Sequence, residues 1–233
     1  MTMKPLKAIF GSFMLAGLTA QAGIYSVSSG DISLGIPDAN PTGISTSINV
    51  SSLPVTITDV NVWINVSGGY NGDLYAFLSY NGVLVPLINR VGTVSSSPST
   101  YQDYFGYSTA GFSSVMLNDQ ATDGAIHNTI TPGSKPTYSY TPDSGATSLA
   151  AFNGSGGGNP NGNWTIFFSD MASGNSSTLV SWGMDITAVP EPANIALGIF
   201  GASSMLVLVV RSRTVRSRVE RVKTAWANWL DAA

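Results

Sequence analysis

The sequence predicts an all-β protein: one antiparallel, jelly-roll-like β-sandwich set between two terminal apolar segments. Three observations carry that reading. Past Gly23 the apolar residues recur with a period of two rather than 3.6. The alternating runs are short and are separated by clusters of Gly, Asn, Ser and Pro. Only 10% of the 233 residues are charged, against about a quarter in ordinary domains. Polarity comes instead from Ser, Thr, Asn and Gly, which suits exposed strands and loops better than Lys- and Glu-rich surface helices.

The first element, residues 1–22, reads as a signal peptide. Lys4 and Lys7 precede an apolar stretch, Ala8 to Ala20, and Ala20-Gln21-Ala22 supplies the small residues of a cleavage site before Gly23. The body, residues 23–188, then reads as one domain. In VTITDVNVWINV, Val60, Val62, Ile64 and Val66 share one face. In DLYAFLSY, Leu74, Ala76 and Leu78 do the same. Tyr80-Asn81-Gly82-Val83 predicts a type I′ hairpin, because Asn-Gly accepts two positive φ angles. Its partner VLVPLI contains Pro86, which places it at a sheet edge or a bulge. NWTIFFSD and STLVSWGMDIT alternate near the end of the body; in the second, Val180, Trp182, Met184 and Ile186 are expected to face one way. The run 153–163, NGSGGGNPNGN, is expected to be a mobile loop.

Charge is sorted along the chain. The body holds ten Asp and only two basic residues, Arg90 and Lys135, a formal balance of −8. That disfavours nucleic acid as a partner. The absence of cysteine fits a bacterial exported domain rather than a eukaryotic one.

After the body, Ala193–Val210 carries no charge, long enough at 1.5 Å per residue for a short transmembrane helix (193–210). Gly198, Gly201, Ala202, Ser203 and Ser204 make one half of it small. Arg211, Arg213, Arg216 and Arg218 follow; by the positive-inside rule they stay cytoplasmic, and the body lies outside. The last stretch, 211–233, places Val215, Val219, Val222, Trp226, Trp229 and Leu230 at helical spacing among cations, as in an amphipathic helix on a membrane surface.

Val189-Pro190-Glu191-Pro192, the apolar span and the arginines together, residues 189–218, resemble the PEP-CTERM sorting signal of Gram-negative bacteria. The resemblance implies recognition by a membrane exosortase, with membrane lipid as the other partner. It further implies removal of the tail near Pro-Glu-Pro and passage to the cell surface or an exopolysaccharide matrix. Two prolines also impose an extended, unpaired backbone that keeps the last strand from running into the helix. The continuation to Ala233 departs from that pattern, in which tails end soon after the arginines.

The body has a resemblance of its own. Gly72-Asp73-Leu74, Gly162-Asn163-Trp164, Asp170 and Trp182, in that order within residues 45–188, are similar to the P domain (P/Homo B domain) of proprotein convertases. The resemblance implies a jelly-roll-like sandwich. In convertases this module stabilises a subtilisin-like catalytic domain, for which this sequence has no counterpart.

Catalysis finds little support. The one histidine, His127, has Asp119 and Asp123 nearby in sequence, but there is no G-x-S-x-G nucleophile elbow. No catalytic residue and no organic cofactor is assigned. Asp73, Asp119, Asp123 and Asp170 are candidate calcium ligands, since a hard cation takes several oxygens and the body is rich in Asp. The competing reading makes Asp73 a turn cap and Asp170 a strand-end cap. Tyr101, Tyr104, Phe105, Tyr107, Tyr138 and Tyr140 are either a sugar-stacking surface or core filling. The expected function is therefore a structural or adhesive surface protein. The alternatives are a calcium- or polysaccharide-binding module and, more distantly, an accessory domain of a serine-type peptidase system.

Overall fold

The computed structural model describes residues 21–93, 105–145, 147–154, 158–190 and 192–230. The expected signal peptide falls outside the described residues up to Ala20; Ala22 is exposed, directly before the first strand. The chain divides into two compact units, one of them Gln21–Glu191.

That unit is built from ten strands: β1 (Gly23–Ser28), β2 (Leu34–Ile36), β3 (Asn40–Val50), β4 (Thr56–Gly68), β5 (Leu74–Tyr80), β6 (Val83–Asn89), β7 (Phe112–Leu117), β8 (Ser139–Tyr140), β9 (Gly162–Asp170) and β10 (Ser177–Val189). One sheet runs β1-β10-β4-β7-β8, with β2 also on β10; the other runs β3-β9-β5-β6. The chain crosses between the sheets from β3 to β4, β4 to β5, β6 to β7 and β9 to β10, β5 and β6 form a hairpin within one sheet, and the first strand pairs with the last. The ladders are antiparallel except for β7 with β8, which is parallel and two residues long. The expectation of a wholly antiparallel sandwich is corrected to that extent.

Both inner faces bury their period-two residues in one core. Val60, Val62, Ile64 and Val66 of β4 meet Leu74, Ala76 and Leu78 of β5, with Trp164, Ile166 and Phe168 of β9. At ~25 cal/mol per Å2 of apolar surface, burying each large side chain contributes roughly 1.5–3 kcal/mol. The Asn81-Gly82 hairpin has φ of 50° and 81°, both positive as the turn requires. β6 is the edge of its sheet, and its register slips beside Pro86, so that Ala76 faces Ile88 while Phe77 faces Pro86. Leu87 is the extra residue, and both Leu87 and Ile88 turn inward.

β10 departs from simple alternation. Its register shifts between Leu179 and Ser181. Leu179 therefore joins Trp182, Met184 and Ile186 in the core, while Val180 is only half-buried. A bulge adds one residue and inverts the phase on one side of it. This corrects the expectation that Val180 lies on the Trp182 face.

The run 153–163 is only partly described, since residues 155–157 lie outside. Its second half is clasped rather than loose. Asn161 Oδ1 accepts the Leu53 N–H at 2.8 Å and its Nδ2 donates to the Leu53 carbonyl at 3.0 Å. Tyr80 Oη donates to the Asn159 and Asn161 carbonyls, and Trp164 Nε1 to that of Pro160. The Tyr80 and Trp164 rings stack beneath it at 3.9 Å and 3°.

β10 ends at Val189, Glu191 lies outside the described residues, and one helix, α1 (Pro192–Leu230), takes up the rest. Pro192 occupies the first helical position, where a missing N–H costs nothing. The expected span and the basic stretch after it form this single helix: no Pro or Gly interrupts residues 202–230. Among the described residues no helix is long and apolar enough to cross a membrane. The side chains of 192–197, 199 and 225–230, which include much of the expected span as well as Trp226, Trp229 and Leu230, lie outside them.

Candidate functional site

The candidate site lies at the end of the four-stranded sheet where β3 and β5 begin and β6 and β9 finish. A single 3-10 turn, Asn71–Asp73, leads into β5, and Leu74 pairs with Asp170, the last residue of β9. Asp73 and Asp170 are thereby neighbours, joined by a hydrogen bond from the Met171 N–H to the Asp73 carbonyl at 2.8 Å. Segment 105–111 forms the opposite wall. Asn71 N–H bonds the Thr109 carbonyl, Gly72 N–H that of Tyr107, and Asn71 Nδ2 that of Gly111. The approach is close enough that a Cβ on Gly72 would run into the Phe105 carbonyl oxygen and Gly106. Glycine at 72 is therefore a packing requirement.

Between these walls is a cavity of about 630 Å3, with Asp73 on its lining beside Tyr70, Phe105, Tyr107 and Ser173. Asp73 is 3% exposed and Asp170 0%. Among the described residues nothing donates a hydrogen bond to the Asp73 carboxylate; Asp170 Oδ1 accepts the Ala172 N–H at 3.2 Å, and the Ala39 N–H also faces the Asp170 carboxylate. Burial, and then the charge of Asp170, push the Asp73 carboxyl up to about 6, against the pull of Arg90. Burial also raises Asp170, opposed by the Ala172 and Ala39 N–H groups and by Arg90, and reinforced by Asp38. Arg90 forms no ion pair with either carboxylate among the described residues; its Nε donates to the Gly72 carbonyl at 3.2 Å. Asp38, exposed, accepts the Gly174 N–H on both oxygens, at 3.1 and 3.3 Å.

The four candidate calcium ligands do not come together. Asp119 accepts the Leu149 and Ala150 N–H groups at 3.1 and 2.8 Å, capping the 3-10 turn Leu149–Phe152. Asp123 accepts the Ser139 N–H at 2.8 Å. Both are taken up by main-chain donors, the turn-capping role that short acidic side chains commonly fill. Among the described residues no three His, Cys, Asp or Glu side chains converge to hold a metal ion. Asp38 and Arg90, which shape the field at Asp73 and Asp170, had no motif to announce them.

His127 sits in a different arrangement. Its Nδ1 lies 2.6 Å from Asp143 Oδ2 and its Nε2 2.8 Å from the Thr93 carbonyl. Asp143 also accepts the Asn89 N–H, and its own N–H bonds the Leu87 carbonyl. Burial opposes the imidazolium, but the Asp143 and Thr93 acceptors outweigh it and raise the His127 pKa. Both ring nitrogens are held by acceptors, so the group staples loop to strand. Neither Asp119 nor Asp123 is its partner.

The aromatic candidates separate as well. Tyr140 is buried, with its Oη accepting the Gly133 N–H at 2.7 Å. Tyr107 and Phe105 line the cavity, Tyr138 is exposed, and Tyr101 and Tyr104 lie outside the described residues. On α1, Phe200, Met205 and the run Leu206 to Val210 are exposed, Phe200 to 72%, directly before Arg211, Arg213, Arg216 and Arg218, also exposed.

In comparisons with known proteins, no protein-family model and no curated protein matches the chain. Among solved structures it is similar to the serine protease of Aeromonas sobria, 12% identical over 73% of this chain and 27% of that one, TM-score 0.40. It is also similar to a chain of the complex between that protease and its chaperone ORF2, 14% identical over 74% of this chain and 28% of that one, TM-score 0.39. The chain thus spans little more than a quarter of the length of the solved structures it resembles.

Proposed function

We propose that this chain is an exported protein of a Gram-negative bacterium. Its β-sandwich is non-catalytic and serves a structural or adhesive role at the cell surface or in an exopolysaccharide matrix. Residues 1–22 direct export, and residues 193–210 hold the precursor in the inner membrane. Val189-Pro190-Glu191-Pro192 is the junction at which an exosortase acts. The observation that carries this reading is on α1: apolar side chains from Phe200 to Val210 stand exposed, and four arginines follow at once. A helix with no polar face needs an apolar surround, and guanidinium groups at one end oppose its further passage.

The test is fractionation of cells expressing the full chain. The protein partitions to the membrane and needs detergent for release, whereas a chain lacking residues 192–230 appears in the soluble periplasmic fraction. Equal partitioning of both would remove the support.

A second reading, a binding module, is favoured by one observation: the cavity with the nearly buried Asp73 on its lining, to which no described residue donates a hydrogen bond. A role as an accessory domain in a serine-type peptidase system rests on the P-domain-like motifs.

A further inference from the structure

The wall of the cavity beside Asp73 is fixed from two sides. The Tyr107 N–H bonds the Val91 carbonyl at 3.0 Å, and the Gly72 N–H bonds the Tyr107 carbonyl at 2.9 Å. A Cβ on Gly106 would run into the Val91 carbonyl oxygen, and one on Gly92 into the Tyr107 ring. A ligand therefore meets a site already shaped, with little ordering left to do. The volume, about 630 Å3, lies within the range of about 300–1,000 Å3 usual for small-molecule sites. Tyr70, 39% exposed, and the exposed Ser108 and Ser173 open the lining to solvent.

That lining narrows the ligand class. Among the described residues no Lys, Arg or His lines it, and its one charged group is Asp73, so an anion is repelled. A wholly apolar ligand would strip water from the carboxylate and return no hydrogen bond, which is costly. One carboxylate falls short of the several oxygens a hard cation takes. An organic cation would answer the charge, but Arg90 already acts on Asp73 through space and opposes a second positive group there. The class left is neutral, donates hydrogen bonds from hydroxyls and carries an apolar C–H face. The lining matches it in kind, with an acceptor-only carboxylate, two serine hydroxyls and aromatic rings.

We propose that the cavity binds a neutral sugar residue of a polysaccharide, whose hydroxyls donate to the Asp73 carboxylate and whose C–H face packs on Tyr70 and Tyr107. The proposal rests on the binding-module reading and names the ligand class and the site for it.

The test is calorimetric titration of the full-length chain at pH 7.5, in a detergent without a sugar headgroup. The probes are neutral hexasaccharides of glucose, galactose, mannose and N-acetylglucosamine, with hexagalacturonate and hexalysine as charged counterparts. At least one neutral hexasaccharide binds saturably, one per chain, and the charged probes do not. Asp73→Asn weakens that binding about tenfold, since a hydrogen bond to a charged acceptor is exchanged for one to a neutral amide. It does so without lowering Tm, because an amide costs less to bury than a carboxylate. Tyr70→Ala weakens binding several-fold, and Tyr138→Ala, at an exposed tyrosine off the lining, leaves it unchanged. Should the Asn variant fail to fold, the two tyrosine variants decide. Glycan binding that survives both Asp73→Asn and Tyr70→Ala, or hexalysine binding that Asp73→Asn removes, overturns the proposal and leaves the binding-module reading standing. No binding of any probe overturns both.

Discussion

Replacing Asn161 by Ala removes the clasp that joins the 158–163 segment to the chain before β4. The side chain bridges both main-chain groups of Leu53, at 2.8 and 3.0 Å. Each hydrogen bond contributes about 1 kcal/mol net, and a donor or acceptor left without a partner costs about 1–3 kcal/mol. Leu53 is half-buried, so water reaches its amide in part. The expected loss is about 2–3 kcal/mol. For a domain of this size that lowers Tm by about 5–10 °C. Urea unfolding followed by near-ultraviolet circular dichroism reads it, because the Tyr80–Trp164 stack lies against the same segment. Asn49→Ala is the control. Asn49 also bonds an Asn, Asn163 Oδ1 at 2.7 Å, but on an exposed strand face, and its loss should cost under about 0.5 kcal/mol. If Asn161→Ala cost no more than Asn49→Ala, the clasp would be incidental and the reasoning wrong.

Other outcomes follow from the same structure. The pKa of His127 is raised by the fold, so its staple contributes in full below the unfolded value near 6.5 and is lost as pH rises through the higher folded value. Urea midpoints measured from pH 5.5 to 8.5 should therefore fall over that window in the native chain, and the fall should shrink in Asp143→Asn. Phe168→Ala opens a cavity between the sheets and should cost about 3–5 kcal/mol in the same unfolding assay. Changing Arg211, Arg213, Arg216 and Arg218 to Glu together should weaken orientation, read as a fall in external labelling of the body in whole cells.

The strands were legible wherever the period of two ran unbroken. Val60, Val62, Ile64 and Val66 all turn inward, because a face buried over its whole length admits only one register. Pro86 announced both an edge and an irregularity, since a residue without an N–H fits poorly in a continuous ladder. Val180 was misplaced because a bulge in β10 leaves no mark in the hydrophobic pattern on either side of it. The clasped 158–163 segment looked loose because glycine and asparagine signal permissive backbone, not what the asparagine side chain goes on to bind. The candidate site was half legible. Asp73 and Asp170 stood in recognisable motifs, while Asp119 and Asp123 gave no sign that main-chain N–H groups 16 to 31 residues away would engage them. His127 invited a partner close in sequence; the fold gave it Asp143, 16 residues on. Such pairings are set by loop closure across the sandwich, to which local pattern is blind.

Intact mass of the protein recovered from the envelope of its host tests the account most directly. The account predicts a chain beginning at Gly23, in the membrane or beyond it. A C-terminus near Pro192 would mark processing at the Pro-Glu-Pro junction, and one at Ala233 a lasting anchor. Recovery of the whole chain from the cytosol, dissolved without detergent and running from Met1 to Ala233, would contradict it.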